Sequence, residues 1–134
     1  MLVKDFMTKI IVTAEEDVLV EDAAKLMAAE SIGSLIITDD DVLSGMVTRQ
    51  DLVSAQLLSE ETYRSLTVGD IMHSPVVSIS PDADIGQVIS LMNSSGKHHL
   101  PVVEGEEIIG LVAASDIIRV LATFKLVAKA AEED

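Results

Sequence analysis

The sequence predicts an α/β protein of the α+β kind: two half-domains, each running helix, strand, helix, strand, strand, helix, related by pseudo-two-fold symmetry. Three observations predict it. The stretch Gly45-Met46-Val47-Thr48-Arg49-Gln50-Asp51 returns as Gly110-Leu111-Val112-Ala113-Ala114-Ser115-Asp116, and 110 − 45 and 116 − 51 give the same offset of 65. That offset holds without a gap through Val3/Val68, Asp5/Asp70, Met7/Met72, Val12/Val77, Leu26/Leu91, Met27/Met92 and Leu35/Leu100. Within each copy the apolar spacing switches between helical and alternating periods in the same order. A repeat of this length is a supersecondary unit that cannot close a core singly, whereas two packed together can. The expected layout is a first repeat over 1–58, a connecting segment over 59–67, a second repeat over 68–122 and a C-terminal helix extension over 123–134.

Each element has a local reason. Ile10 to Val12 and Val76 to Val77 read as a short strand after a helical turn. Val20, Ala23, Ala24, Met27 and Ala28 then fall at helical spacing, as Ile85, Val88, Ile89 and Met92 do in the second copy. The second of these helices has the better start: Asp84 caps it and Gln87 closes the capping box, while Leu19 stands at the matching place in the first. Leu35–Thr38 with Leu43–Val47, and Leu100–Val103 with Ile108–Val112, read as strand pairs around the acidic tips Asp39-Asp40-Asp41 and Glu104-Gly105-Glu106. Thr67 with Asp70 makes another capping box and sets the junction between the halves just before Val68. Ser59 to Leu66 reads as an exposed connection that a Ser59 cap allows to be helical. Beyond the second motif, Ile117, Leu121, Phe124, Ala128 and Ala131 share one helix face, with Leu126 and Val127 beside it. That face fits either the chain's own core or a dimer seam. Glu132, Glu133 and Asp134 oppose the negative end of the helix dipole.

Composition excludes several functions. The chain has 134 residues, 49% of them hydrophobic, enough for one ordinary core. Lys and Arg number 9 against 23 Asp and Glu, and the net charge of −14 repels phosphate backbones and anionic lipid alike, so neither nucleic acid nor membrane is an expected partner. No run reaches the roughly 20 apolar residues of a membrane helix, and a start containing Lys4 and Asp5 does not read as a signal peptide. With no cysteine there are no disulfides and no thiolate zinc sites, and a cytoplasmic location is expected. Catalysis finds little support. Ser94, Ser95, His98 and His99 come without a Gly-x-Ser-x-Gly elbow, and no phosphate-cradling Gly-Lys-Ser/Thr loop or dinucleotide fingerprint follows a strand.

The aspartates that close the two motifs are the leading candidates for ligand contact. An ionised Asp accepts hydrogen bonds and offers none, so it suits the 2′ and 3′ hydroxyls of a nucleoside, while amides at a helix start face a phosphate. Both aspartates also fit simply as caps of the helices they begin.

Asp-Phe-Met-Thr, Ile-Gly-Ser-Leu-Ile-Ile and Gly-Met-Val-Thr-Arg-Gln-Asp-Leu together resemble a cystathionine-β-synthase-type (CBS) domain. Asp-Ile-Met-His-Ser-Pro-Val-Val, His-His-Leu-Pro-Val-Val and Gly-Leu-Val-Ala-Ala-Ser-Asp-Ile resemble a second, and the likeness runs from about Val3 to about Leu121. It implies a pair of the kind called a Bateman module: regulatory and not catalytic, with no tightly bound cofactor. Such a module binds AMP, ADP, ATP or S-adenosylmethionine in clefts between its repeats and signals to a separate partner protein. It commonly packs as a homodimer shaped like a flat disk.

The same resemblance implies the site residues. Asp51 and Asp116 hold ribose, and Thr48 supplies a hydroxyl that Ala113 lacks, with Ser115 as a partial substitute. Asp51 is expected to be served by Pro75 to Val77 and by His98 and His99, and Asp116 by Ile10 to Val12 and by Gly33 and Ser34. On that pairing the clefts differ in charge. Lys97, His98, His99 and Arg49 favour an adenine nucleotide at Asp51, and Arg119 is the nearest cation to Asp116, which suits a neutral or cationic adenosine derivative or no ligand. The alternative is an interaction module whose clefts are vestigial. His98 and His99 lack companions for a metal site, and Asp39 to Asp41 read first as a solvated turn.

Overall fold

The computed structural model describes the backbone of residues 1–133 and the side chains of residues 1–125. Among the described residues seven helices and five strands follow in order: α1 (Val3–Phe6), β1 (Thr13–Glu15), α2 (Val20–Glu30), β2 (Ser34–Asp39), β3 (Val42–Thr48), α3 (Arg49–Ala55), α4 (Glu60–Ser65), α5 (Val68–Ile71), α6 (Ile85–Ser95), β4 (His99–Glu104), β5 (Glu107–Ala113) and α7 (Ala114–Glu133). The architecture is mixed α and β, as the repeat predicts. The chain divides into a continuous unit, Ile11–Val76, and a split unit made of Met1–Ile10 and Val77–Asp134.

The two units are built alike, but neither is one sequence repeat. In the continuous unit β1 runs parallel to β2 (Thr13↔Ile36) and β2 antiparallel to β3 (Leu35↔Val47). His73 then adds to the outer edge of β3 through Met46, with N···O distances of 3.1 and 2.9 Å. In the split unit β4 pairs with β5 (Leu100↔Val112), Ile79 bridges to Val102 on one side, and Thr8 adds to β5 through Leu111 at 2.9 Å on the other. So the helical turn and edge residue from the start of each repeat complete the sheet of the other. α1 is anchored by Val3 N–H to Ala83 carbonyl (2.8 Å) and α5 by Val68 N–H to Val18 carbonyl (2.8 Å). Val68 is fully buried among Val20, Leu35, Ile37 and Val47, and Val3 among Val88, Leu100, Val102 and Val112. This exchange is the physical form of a repeat that cannot close its own core.

Local chemistry explains the element ends. Asp84 accepts from Gln87 N–H while Gln87 accepts from Asp84 N–H, both at 2.8 Å, and Leu19 starts α2 with no side-chain cap, as expected. Thr67 N–H donates to Asp70 at 2.9 Å, and this bonding to Thr67 holds the Asp70 carboxyl below the ordinary carboxylate range. Its contribution is therefore present above the unfolded carboxylate pKa and is lost as pH falls through the lowered folded value. Both hairpins close with two residues. Asp40 and Asp41 both have positive φ (51° and 67°), the pattern of a type I′ turn, while Gly105 takes φ 63° in the other. α2 ends on Ser31 at φ 54°, where α6 ends on Gly96 at φ 70°. A serine strains that left-handed position and a glycine does not. Ser31→Gly is expected to raise the unfolding free energy by roughly 0.5–1 kcal/mol, and Gly96→Ser to lower it similarly, read as the urea midpoint of each variant.

The structure bears on three sequence expectations. Ile10–Val12 and Val76–Val77 are not strands. The parallel ladder starts at Thr13 opposite Ile36, Ile10 is 87% exposed, and in the second copy a single bridge at Ile79 takes the place of β1. A short apolar run does not reveal where its ladder partner begins. On α6, Val88 and Met92 are buried but Ile89 is 41% exposed. On α7 the buried stripe is Asp116, Ile117 and Val120, with Leu121 and Phe124 about half exposed, because β5 delivers the helix with Asp116 turned inward. The expectations for the side chains of Leu126, Val127, Ala128, Ala131, Glu132, Glu133 and Asp134 lie outside the described residues. α4 forms as the Ser59 cap allows, with Ser59 Oγ accepting from Thr62 N–H at 3.3 Å, and its Tyr63 packs onto the core.

Candidate functional site

Each unit turns its last strand directly into a helix, and the corner carries the carboxylate. In the continuous unit Thr48 ends β3 and caps α3. Asp51 Oδ2 accepts from Thr48 N–H at 2.7 Å and from the Thr48 hydroxyl at 3.0 Å. The other oxygen, Oδ1, lies 2.6 Å from His73 Nε2. Because a carboxylate only accepts, that nitrogen carries the proton. The Asp51 side chain is 15% exposed and the His73 ring 56%. The split unit repeats the plan: Asp116 Oδ2 accepts from Ala113 N–H at 2.8 Å, and Oδ1 from the Arg119 guanidinium at 2.8 Å. Here the carboxylate is 8% exposed and the guanidinium 66%. Capping and ligand contact are thus compatible readings of the aspartates, because capping uses one oxygen of each and leaves the other facing a largely exposed side chain.

The strand registers fix the neighbours. Ser34, buried, pairs with Thr48, and Arg49 N–H donates to Gly33 carbonyl at 3.1 Å. His99 pairs with Ala113, and Ala114 N–H donates to His98 carbonyl at 2.8 Å. Within the units, therefore, Gly33 and Ser34 stand beside Asp51, and His98 and His99 beside Asp116, each on its own repeat's hairpin. Arg49 and His73 accompany Asp51, and Arg119 pairs with Asp116. Of the remaining candidates, Pro75 and Val77 follow His73, with Pro75 exposed and Val77 half-buried; Ile10 is exposed, Val12 is half-buried, and Ser115 is exposed one residue before Asp116. His73 itself was missed. Its signal was its place two residues before Pro75, in a motif read only for the family pattern. Glu15, Glu16, Asp17, Asp39 and Asp40 line an acidic hollow, yet among the described residues no group of three or more His, Cys, Asp or Glu is arranged to hold a metal ion. No helix among the described residues is long and apolar enough to cross a membrane.

Two hairpin-to-helix corners with matching carboxylates, on sheets that exchange their edge segments, define a tandem-repeat module. Comparison with known proteins agrees. A family model described as CBS domain matches twice, over residues 3–58 and 68–123, and the chain belongs to that family as a CBS-domain pair. It is 27% identical over 108 residues to the mitochondrial CBS domain-containing protein CBSX3 of Arabidopsis thaliana, covering 77% of this chain and 52% of that one. The chain thus spans about half the length of that relative. It is 27% identical over 115 residues to the CBS domain-containing protein YhcV of Bacillus subtilis, covering 86% of this chain and 81% of the other. Among solved structures, the CBS domain pair of protein MJ0100 in complex with 5′-methylthioadenosine and S-adenosyl-L-methionine superposes with a TM-score of 0.83 at 27% identity, covering 92% of this chain and 97% of that one.

Proposed function

We propose that the chain is a regulatory module that binds an adenosine-containing ligand through Asp51 and Asp116 and passes that event to a partner protein. It has no catalytic role of its own. The observation that carries this reading is the pair of part-buried carboxylates, each held by its own strand-to-helix corner and each with one oxygen turned to solvated side chains. Such a group is pre-oriented to accept from a ribose diol, and cations within the same corner suit a phosphate. The adenosine compounds bound by the MJ0100 pair support the ligand class. AMP, ADP and ATP are the first candidates and S-adenosylmethionine the alternative. A ligand that favours one arrangement of the exchanged segments shifts its population, and the partner reads the shift.

Thermal unfolding with each compound tests the reading. At about 100 times its dissociation constant a ligand adds roughly 2.7 kcal/mol, several degrees for a domain of this size. The shift is expected to shrink in Asp51→Ala, Asp116→Ala or both. No shift with any compound favours the interaction module with vestigial clefts.

A second copy of the chain is the proposed assembly partner. Val53 on α3 and Ile118 on α7 hold equivalent positions one offset of 65 apart and are 55% and 68% exposed, and a groove of about 410 Å³ lies beside Val53 between α2 and α3. Apolar side chains at matching places on both units suit a symmetric, isologous contact. Light scattering is expected to give twice the chain mass, reduced toward one by Ile118→Glu.

A further inference from the structure

The two carboxylates differ in how many of their acceptor positions the protein itself occupies. An ionised carboxylate offers about four lone-pair directions, two on each oxygen. Among the described residues Asp51 receives three protein donors: Thr48 N–H and the Thr48 hydroxyl on Oδ2, and His73 Nε2 on Oδ1. Among them Asp116 receives two: Ala113 N–H on Oδ2 and Arg119 on Oδ1. The difference traces to one side chain in the motif, since the methyl of Ala113 replaces the hydroxyl of Thr48. A vicinal diol brings two donors. Asp116 has a direction left on each oxygen and takes both with Arg119 in place. Asp51 has one direction left, on the oxygen that His73 already holds.

We infer that His73 is a specificity-determining residue that competes with ribose for Asp51, whereas Arg119 stays in place beside a ribose at Asp116. This rests on the reading of Asp51 and Asp116 as ribose anchors. The competition is physically easy to resolve in favour of a ligand. The imidazole is 56% exposed, so water can take over its hydrogen bond, and its main chain is fixed to Met46 independently of the ring. Ligand entry at Asp51 therefore displaces the ring into solvent without disturbing the sheet edge. At Asp116, loss of Arg119 removes a companion charge and opens no acceptor that the diol needs.

The test is calorimetric titration of the full chain with adenosine, which has no phosphate to reward a nearby cation, and with 2′,3′-dideoxyadenosine, which has no diol. Asp116→Asn isolates the Asp51 site and Asp51→Asn isolates the Asp116 site. In the first background His73→Ala is expected to tighten adenosine about two- to five-fold, the net worth of one modest hydrogen bond, and to leave dideoxyadenosine unchanged. In the second, Arg119→Ala is expected to give no gain. A parallel measurement needs no carboxylate substitution: the ring ¹⁵N and ¹H signals of His73 in the parent chain should move on adenosine addition as the carboxylate bond is lost. Unchanged or weaker adenosine binding in His73→Ala, with Asp51→Asn abolishing binding at that site, overturns the inference and leaves the ribose anchors standing. Adenosine binding that is absent, or indifferent to both Asp→Asn variants, overturns the anchors and the inference together.

Discussion

Removal of residues 1–10 is expected to unfold the sheet of the second repeat and leave that of the first intact. The deleted segment takes away Val3, which is fully buried among Val88, Leu100, Val102 and Val112, along with Phe6 and Met7, which pack on the same cluster. It also removes the hydrogen bonds from Val3 to Ala83, from Lys4 to Pro81 and between Thr8 and Leu111. A fully buried side chain of this size is worth about 1.5–3 kcal/mol, so the loss approaches the whole 5–15 kcal/mol that separates a typical folded domain from its unfolded chain. Meanwhile α5 and His73 still complete the sheet of the first repeat. Amide hydrogen exchange reads the outcome: His99–Glu104 and Glu107–Ala113 lose protection, while Ser34–Asp39 and Val42–Thr48 keep it. The opposite pattern, with the first repeat exposed, contradicts the exchange of segments.

Gly45→Ala and Gly110→Ala are each expected to cost about 1–3 kcal/mol, the usual penalty of overpacking, and several degrees of melting temperature. A Cβ at Gly45 would stand 2.4 Å from Met72 Sδ and 2.9 Å from Met72 Cβ. At Gly110 it would stand 2.6 Å from Met7 Sδ and 3.0 Å from the Thr8 carbonyl oxygen. Each glycine lies next to a β-bulge in its hairpin and admits the exchanged methionine of the other repeat. Trimming the methionine should therefore rescue each variant in part. Met72→Ala removes Sδ and leaves its Cβ 2.9 Å from the new methyl at Gly45, and Met7→Ala leaves the Thr8 carbonyl oxygen at 3.0 Å at Gly110. Double-mutant cycles from chemical denaturation check this: favourable coupling is expected for Gly45/Met72 and for Gly110/Met7. Simple additivity at both contradicts the packing described.

Much of this was legible in the sequence because the informative signals are local. The offset of 65, the Asp84/Gln87 and Thr67/Asp70 boxes, the acidic hairpin tips and the capping role of Asp51 all depend on residues within a few positions of one another, where spacing and side-chain chemistry suffice. What was not legible depends on pairing between distant segments. That α1 completes the sheet of the second repeat and α5 that of the first, that the ladder begins at Thr13 and not Ile10, and that His73 reaches Asp51 are choices between equally apolar, equally spaced partners. Periodicity does not distinguish them. Repeats sharpen the difficulty, because every segment has a near-twin that would satisfy the same pattern.

The central claim is that Asp51 and Asp116 hold a ribose, and the most direct measurement is calorimetric titration of the parent chain with AMP and with its 2′,3′-dideoxy counterpart. Hydrogen bonds to a charged acceptor are each worth about 1.5–3 kcal/mol, so loss of the diol is expected to weaken binding at least about ten-fold. Equal affinity for the two compounds would contradict the claim.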